Sequence, residues 1–200
     1  MIPAGYLLKR VQPPPDWLGA PHVIDVCSVS DCVNDNFVDP QTAWKHNAFG
    51  LANDPLTLWL LLETEGRELA GSTLFYYEAY EQEIESDGWV FDPNAWRSLS
   101  PAPSATIATE VLPPAFRLSG ELLGFDVVTF GDFLEHSPLS CNSVGTELPV
   151  NRHCLLNTLE VARNAIDAGA FGGGCEEGVY KIFSVTLVRG SRGALGRLDI

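Results

Sequence analysis

Val179-Tyr180-Lys181-Ile182-Phe183-Ser184-Val185-Thr186-Leu187-Val188 is the stretch on which the fold turns. It predicts a strand about ten residues long. Directly upstream, Gly169-Ala170-Phe171-Gly172-Gly173-Gly174-Cys175-Glu176-Glu177-Gly178 is a glycine-rich, flexible connection. Before that, Leu155, Leu159, Ala162 and Ile166 fall at steps of four, three and four, which is one helical face. Asn151 is the expected N-cap of this helix and Gly169 its stop. The last third of the chain is thus read as one helix followed by one long strand.

Working outward, His22 to Val29 alternates Val23, Asp25, Cys27 and Val29 with Ile24, Val26 and Ser28, and predicts a central strand. Ser72 to Tyr80 predicts another. Phe125 to Phe130 predicts a third, after a turn region at Leu122-Leu123-Gly124, and Ala105 to Val111 a fourth. Asp39-Pro40 and Asp54-Pro55 each open a helix, because Asp accepts from the first free N–H groups and Pro lacks the N–H that would go unpaired. The first helix is expected over Pro40 to His46. The second carries Leu56, Leu58, Trp59, Leu60, Leu61 and Leu62 toward Gly66 and should be deeply buried. Glu81 to Pro103 and His136 to Thr146 read as loops. No internal repeat is evident. Strands and helices alternate without a βαβ rhythm. The expected fold class is therefore α+β: a single domain over 1–188, with a mixed or mostly antiparallel sheet packed against a few helices. Residues 189–200 read as a flexible Gly/Arg tail.

The 200-residue chain is 46% hydrophobic and 19% charged, so it can bury a core without a metal or disulfide. Its net charge of −14 argues against nucleic acid and against anionic membrane surfaces as partners. The five cysteines, Cys27, Cys32, Cys141, Cys154 and Cys175, are odd in number and sparse, unlike a disulfide framework. The opening residues do not have the order of a signal peptide, since Lys9 and Arg10 follow the apolar run. A cytoplasmic location is the expectation.

Two kinds of chemistry are conceivable. The first is thiol catalysis. Cys154, three residues into the expected helix, would feel its positive end and favour thiolate. Cys141 lies in a polar loop, Ser137-Pro138-Leu139-Ser140-Cys141-Asn142-Ser143, that could present a thiol. His136 and His153 are the available bases for a small hydrolase or transferase. The same thiols serve equally well as small buried hydrophobes. The second is zinc, which could draw on His22, Cys27 and Cys32, or on His136, Cys141, His153 and Cys154. Paired Cys-x2-Cys ribs are absent, so neither a metal nor any other cofactor is expected. The glycine run lacks a P-loop ending and is followed by Glu176 and Glu177, which would repel phosphate.

The most distinctive feature is acidic. From Glu63 to Asp92 there are nine acids, Glu63, Glu65, Glu68, Glu78, Glu81, Glu83, Glu85, Asp87 and Asp92, against one base, Arg67. Aromatic residues, Trp89 among them, are interleaved. Such a segment either is a solvated face over the core or captures a basic protein surface, with charge steering encounter and rings supplying contact. The leading expectation is the second: a binding module using Glu78, Glu81, Glu83, Glu85, Asp87, Trp89 and Asp92. Toxin-neutralising immunity proteins follow this logic of charge and size, and the parallel extends no further than that.

Overall fold

The computed structural model describes residues 1–30, 33, 47–55, 58, 64, 66, 70–99, 119–130 and 134–189. The expected helix at Pro40 to His46, the expected strand at Ala105 to Val111, Cys32 and the tail beyond 189 lie outside these residues.

Six strands form one antiparallel sheet: β1 (Ile2–Lys9), β2 (Thr73–Ser86), β3 (Arg97–Ser98), β4 (Ser119–Phe130), β5 (Leu134–His136) and β6 (Gly178–Arg189). Their order is β1-β2-β6-β4-β5, and β3 pairs with the far end of β2. Two short helices, α1 (Pro138–Cys141) and α2 (Leu159–Asp167), accompany it. The fold is therefore α+β and mostly strand. The stretch from Val179 to Val188 is the heart of β6, an interior strand that pairs with β2 on one side and β4 on the other.

Both sheet faces are covered. On one, Ala162, Ala165 and Ile166 of α2 pack with Ile84, Val127, Tyr180 and Ile182. Beside them, Leu58 covers Tyr6, Leu8, Leu74 and Tyr76. Pro55, Leu58 and Thr64 are helical, so the described residues agree with the helix expected after Asp54. The opposite face carries Phe75, Tyr77, Ala79, Phe183 and Val185 beneath Cys27, Val29, Phe49 and Leu51.

The molecule repeats itself, which corrects the sequence expectation. Gly5 of β1 faces Tyr77 and Gly124 of β4 faces Val185, while Tyr77 and Val185 face each other. A pseudo-two-fold axis perpendicular to the sheet passes through that central pair. Each outer strand has a bulge at the residue before its glycine, Ala4 or Leu123. In each half an asparagine clasps that bulge. Asn47 Nδ2 donates to Ala4 O at 2.6 Å, and its Oδ1 accepts from the backbone N–H of Phe49 and Leu51. Asn151 Nδ2 donates to Leu123 O at 2.7 Å, and its Oδ1 accepts from His153 and Leu155. Ala52 then bridges Tyr6, as Leu156 bridges Phe125. Gly5 and Gly124, at φ of +138° and +152°, could not carry a side chain: a Cβ would lie 2.7 Å from Ala52 O or Leu156 O.

Four local expectations are revised. Asn151 caps no helix, because its side chain is committed to the bulge; α2 starts at Leu159, and Thr158 accepts from Val161 N–H as its N-cap. His22 to Val29 is not a sheet strand and makes one isolated bridge, Val26 to Gln12. Its N–H groups go instead to Arg152 O, His153 O, Gln12 O and the Asp126 carboxylate. The strand expected to end at Tyr80 continues to Ser86, and Arg97–Ser98 pairs with it from within the expected loop. Leu122-Leu123-Gly124 is no turn but the bulge inside a longer strand.

Candidate functional site

The end of β2 and the start of β6 run side by side, with Glu85 opposite Val179 and Ser86 opposite Gly178. This pairing brings Glu177 next to the turn after β2. Glu85, Ser86, Asp87, Val90, Asp92, Glu177 and Gly178 line an open cleft of about 670 Å³. Asp87 Oδ1 accepts the N–H groups of Trp89 and Val90 at 3.0 and 2.9 Å. Those two bonds hold its carboxyl below the usual range. Asp92 caps the next turn through Asn94 N–H. Gly173 N–H donates to Gly88 O at 2.7 Å, so the glycine-rich connection is stitched to this turn. Phe91 points inward and packs on Phe171 and Tyr180. Trp89 and Val90 point outward, 75% and 64% exposed, and are the two most exposed large apolar side chains among the described residues.

The acidic strip is only partly displayed. Glu81, Glu83 and Glu85 lie at alternate positions of β2. Glu83 is nearly buried between Arg97 Nε and Lys181 Nζ, each at 3.1 Å. Burial lowers the Lys181 ammonium pKa, and the Glu83 carboxylate opposes that shift. Arg97 Nη1 also reaches Glu85 at 3.3 Å, and the Met1 amino group reaches Glu81 at 3.0 Å. Glu78 is half-buried and accepts from Tyr76 Oη. Asp87, Asp92 and Glu177 make no ion pair with any Lys, Arg or His among the described residues. Of the aromatic residues near the strip, Tyr76, Tyr77 and Phe91 are core. Trp96 is held by Asp167 and lies under Arg163.

The thiols and imidazoles are distributed as follows. Cys154 is fully buried, with Sγ 3.6 Å from Leu139 O, at a backbone φ of +59°. The adjacent His153 turns elsewhere: its Nδ1 lies 2.6 Å from Asp25 Oδ1. His136 Nε2 is 4.0 Å from Glu176. Cys141 ends α1 and is half-buried. Burial and the neighbouring Glu176 push the Cys175 thiol up to about 11, which disfavours thiolate. The described cysteines, Cys27, Cys141, Cys154 and Cys175, form no disulfide. Cys27 Sγ donates to Asp25 Oδ1 at 3.6 Å, so Asp25, Cys27 and His153 form one cluster.

Sequence reasoning did not assign Val90 and Glu177 to the cleft, or Asp25 to the cluster. Glu177 is ninety positions from Asp87, and only the β2–β6 register could have joined them. Asp25 meets His153 because the Ile24 and Cys27 N–H groups bind Arg152 O and His153 O across a long sequence gap. No helix among the described residues is long and apolar enough to cross a membrane. No protein-family model, curated protein or solved structure matches the chain.

Proposed function

We propose that the chain is a binding module that takes a basic segment of a protein partner into the cleft at the end of β2. The observation carrying this reading is the convergence of Asp87, Asp92 and Glu177 on one cleft beside the outward-facing Trp89 and Val90. Carboxylates that are not neutralised internally retain their attraction for an incoming cation, and an exposed indole adds contact area and cation–π affinity for Lys or Arg. Glu83 supports the scaffold, because its charge is spent on Arg97 and Lys181. Glu81 and Glu85 form a weaker flank.

The test uses a panel of Arg/Lys-rich decapeptides, with sequence-matched acidic peptides as controls, titrated at low and physiological salt. The basic peptides should bind with affinity that falls as salt rises. Asp87→Asn, Asp92→Asn and Glu177→Gln combined should weaken binding by roughly threefold or more. Trp89→Ala should weaken it further, while Glu78→Gln should not. Equal binding of basic and acidic peptides, or indifference to the triple change, refutes the reading.

A further inference from the structure

We propose that Asp25, Cys27 and His153 form a binding site for a zinc-type divalent cation. The proposal is independent of the acidic cleft. Asp25 Oδ1, Cys27 Sγ and His153 Nδ1 all lie within 4.8 Å of one another. Oxygen, sulfur and nitrogen donors together suit zinc, whereas calcium and magnesium take oxygen alone.

The distances fit with movements of about 1 Å: the donors span at most 4.8 Å, and the widest pair must close toward about 3.5 Å. In a tetrahedral site with bonds of about 2.0 Å to O and N and 2.3 Å to S, donors are separated by about 3.3–3.5 Å. Cys27 Sγ is already 3.6 Å from Asp25 Oδ1. Asp25 Oδ1 and His153 Nδ1, now hydrogen-bonded at 2.6 Å, need open by only about 0.7 Å to reach that spacing. Coordination replaces that hydrogen bond. The thiol releases its proton to solvent, and the imidazole carries its proton on Nε2 while Nδ1 faces the ion.

The backbone is already fixed. Ile24 N–H donates to Arg152 O at 2.9 Å and Cys27 N–H to His153 O at 3.1 Å. His153 N–H is held in turn by Asn151 Oδ1. Two segments remote in sequence are thus locked together before any ion arrives, so little ordering remains for binding to supply. The Asp25 and His153 side chains are 26% and 21% exposed, which leaves a route for the ion and a solvent-facing fourth position. The repeat supplies a further argument. Phe49 occupies the place of His153 in the first half, where it packs on Phe130 and Phe183. The scaffold therefore does not require an imidazole at this position.

The experiment is a Co²⁺ titration of the reduced, metal-stripped chain, followed by competition with Zn²⁺ and Ca²⁺. One equivalent of Co²⁺ should bind, with thiolate-to-metal charge transfer in the near ultraviolet and tetrahedral d–d bands in the visible. Zn²⁺ should displace it and Ca²⁺ should not. Cys27→Ala should abolish the charge-transfer band. Asp25→Asn and His153→Phe should each weaken binding at least tenfold. Cys141→Ser and Cys175→Ser should bind as the parent does. Absence of uptake, or a charge-transfer band that survives Cys27→Ala, overturns the proposal. Were Cys27→Ala to misfold, Asp25→Asn and His153→Phe decide alone, since parent-like affinity in both removes the site.

Discussion

Replacing the two clasp asparagines tests the repeat most directly. In Asn151→Ala the Leu123 carbonyl and the N–H groups of His153 and Leu155 lose partners at 2.7, 2.9 and 3.3 Å. An unsatisfied buried polar group costs about 1–3 kcal/mol, and the low end applies here because the asparagine is only half-buried. Three such groups place the expected cost at about 2–4 kcal/mol. For a chain this long each kcal/mol moves Tm by about 2–4 °C, so a drop of about 5–15 °C is expected. Asn47→Ala removes the equivalent bonds and one more, to Asn53 Oδ1 at 2.8 Å, and should cost at least as much. Asn151→Asp isolates the donor: it keeps the acceptor oxygen but sets a carboxylate oxygen against Leu123 O. It should be at least as damaging as alanine. Urea and thermal melts followed by circular dichroism provide the measurement. Near-native stability of Asn151→Asp would refute the claim that the amide N–H holds the bulge.

Two further outcomes follow from single groups. Burial raises the Asp126 carboxyl to about 6, partly offset by Ser137 Oγ, Val29 N–H and Lys9. Because the folded-state pKa exceeds the unfolded 3.8, its stabilising contribution is complete below pH 4 and is lost as pH rises through 6. It amounts to about 3 kcal/mol over that window. Asp126→Asn should flatten this component, and parallel stability-versus-pH curves for the two proteins would refute it. Cys175, with its thiol near 11, should alkylate roughly a hundredfold more slowly at pH 8 than an unhindered cysteine. Mass spectrometry of iodoacetamide-treated folded protein measures it, and rapid labelling of Cys175 contradicts the geometry.

Some of this architecture was legible in the sequence and some was not, for identifiable reasons. The strand at Val179 to Val188 was legible because its central, doubly paired position needs apolar, β-branched residues on both faces. β1 was not, because Pro3 and Gly5 both interrupt a strand pattern; an edge strand tolerates the first and a bulge uses the second. The alternation from His22 to Val29 misled because its apolar residues serve two cores, Val23 and Val26 on the helix side and Cys27 and Val29 on the other. The repeat was hidden by drift. Gly5 and Asn47 are separated by 42 residues and Gly124 and Asn151 by 27, so no fixed period relates the halves. In the candidate site, Glu81, Glu83 and Glu85 could be placed on one face if extended. Arg97 and Lys181, which neutralise Glu83, come from a segment read as loop and from another strand.

The repeat also gives a way to separate what the fold requires from what it carries. Gly5 and Gly124, Asn47 and Asn151, Leu51 and Leu155, and Phe75 and Phe183 are identical at equivalent places, and each has a geometric reason to be so. Gly50 and Cys154 occupy one equivalent left-handed position, at φ of +69° and +59°. A side chain there costs of order 1 kcal/mol that glycine avoids, yet the second half keeps a thiol, packed between Leu139 and Gly145. At the preceding position the first half has a phenyl ring packed against the core and the second an imidazole on a carboxylate. At two adjacent positions of the clasp the second half therefore carries a thiol and an imidazole where the first has glycine and phenylalanine. The segment bearing Asp25 and Cys27 is pinned against that clasp by backbone hydrogen bonds. Among the described residues, a purely structural account explains the clasp itself but not this concentration of donors at its second copy.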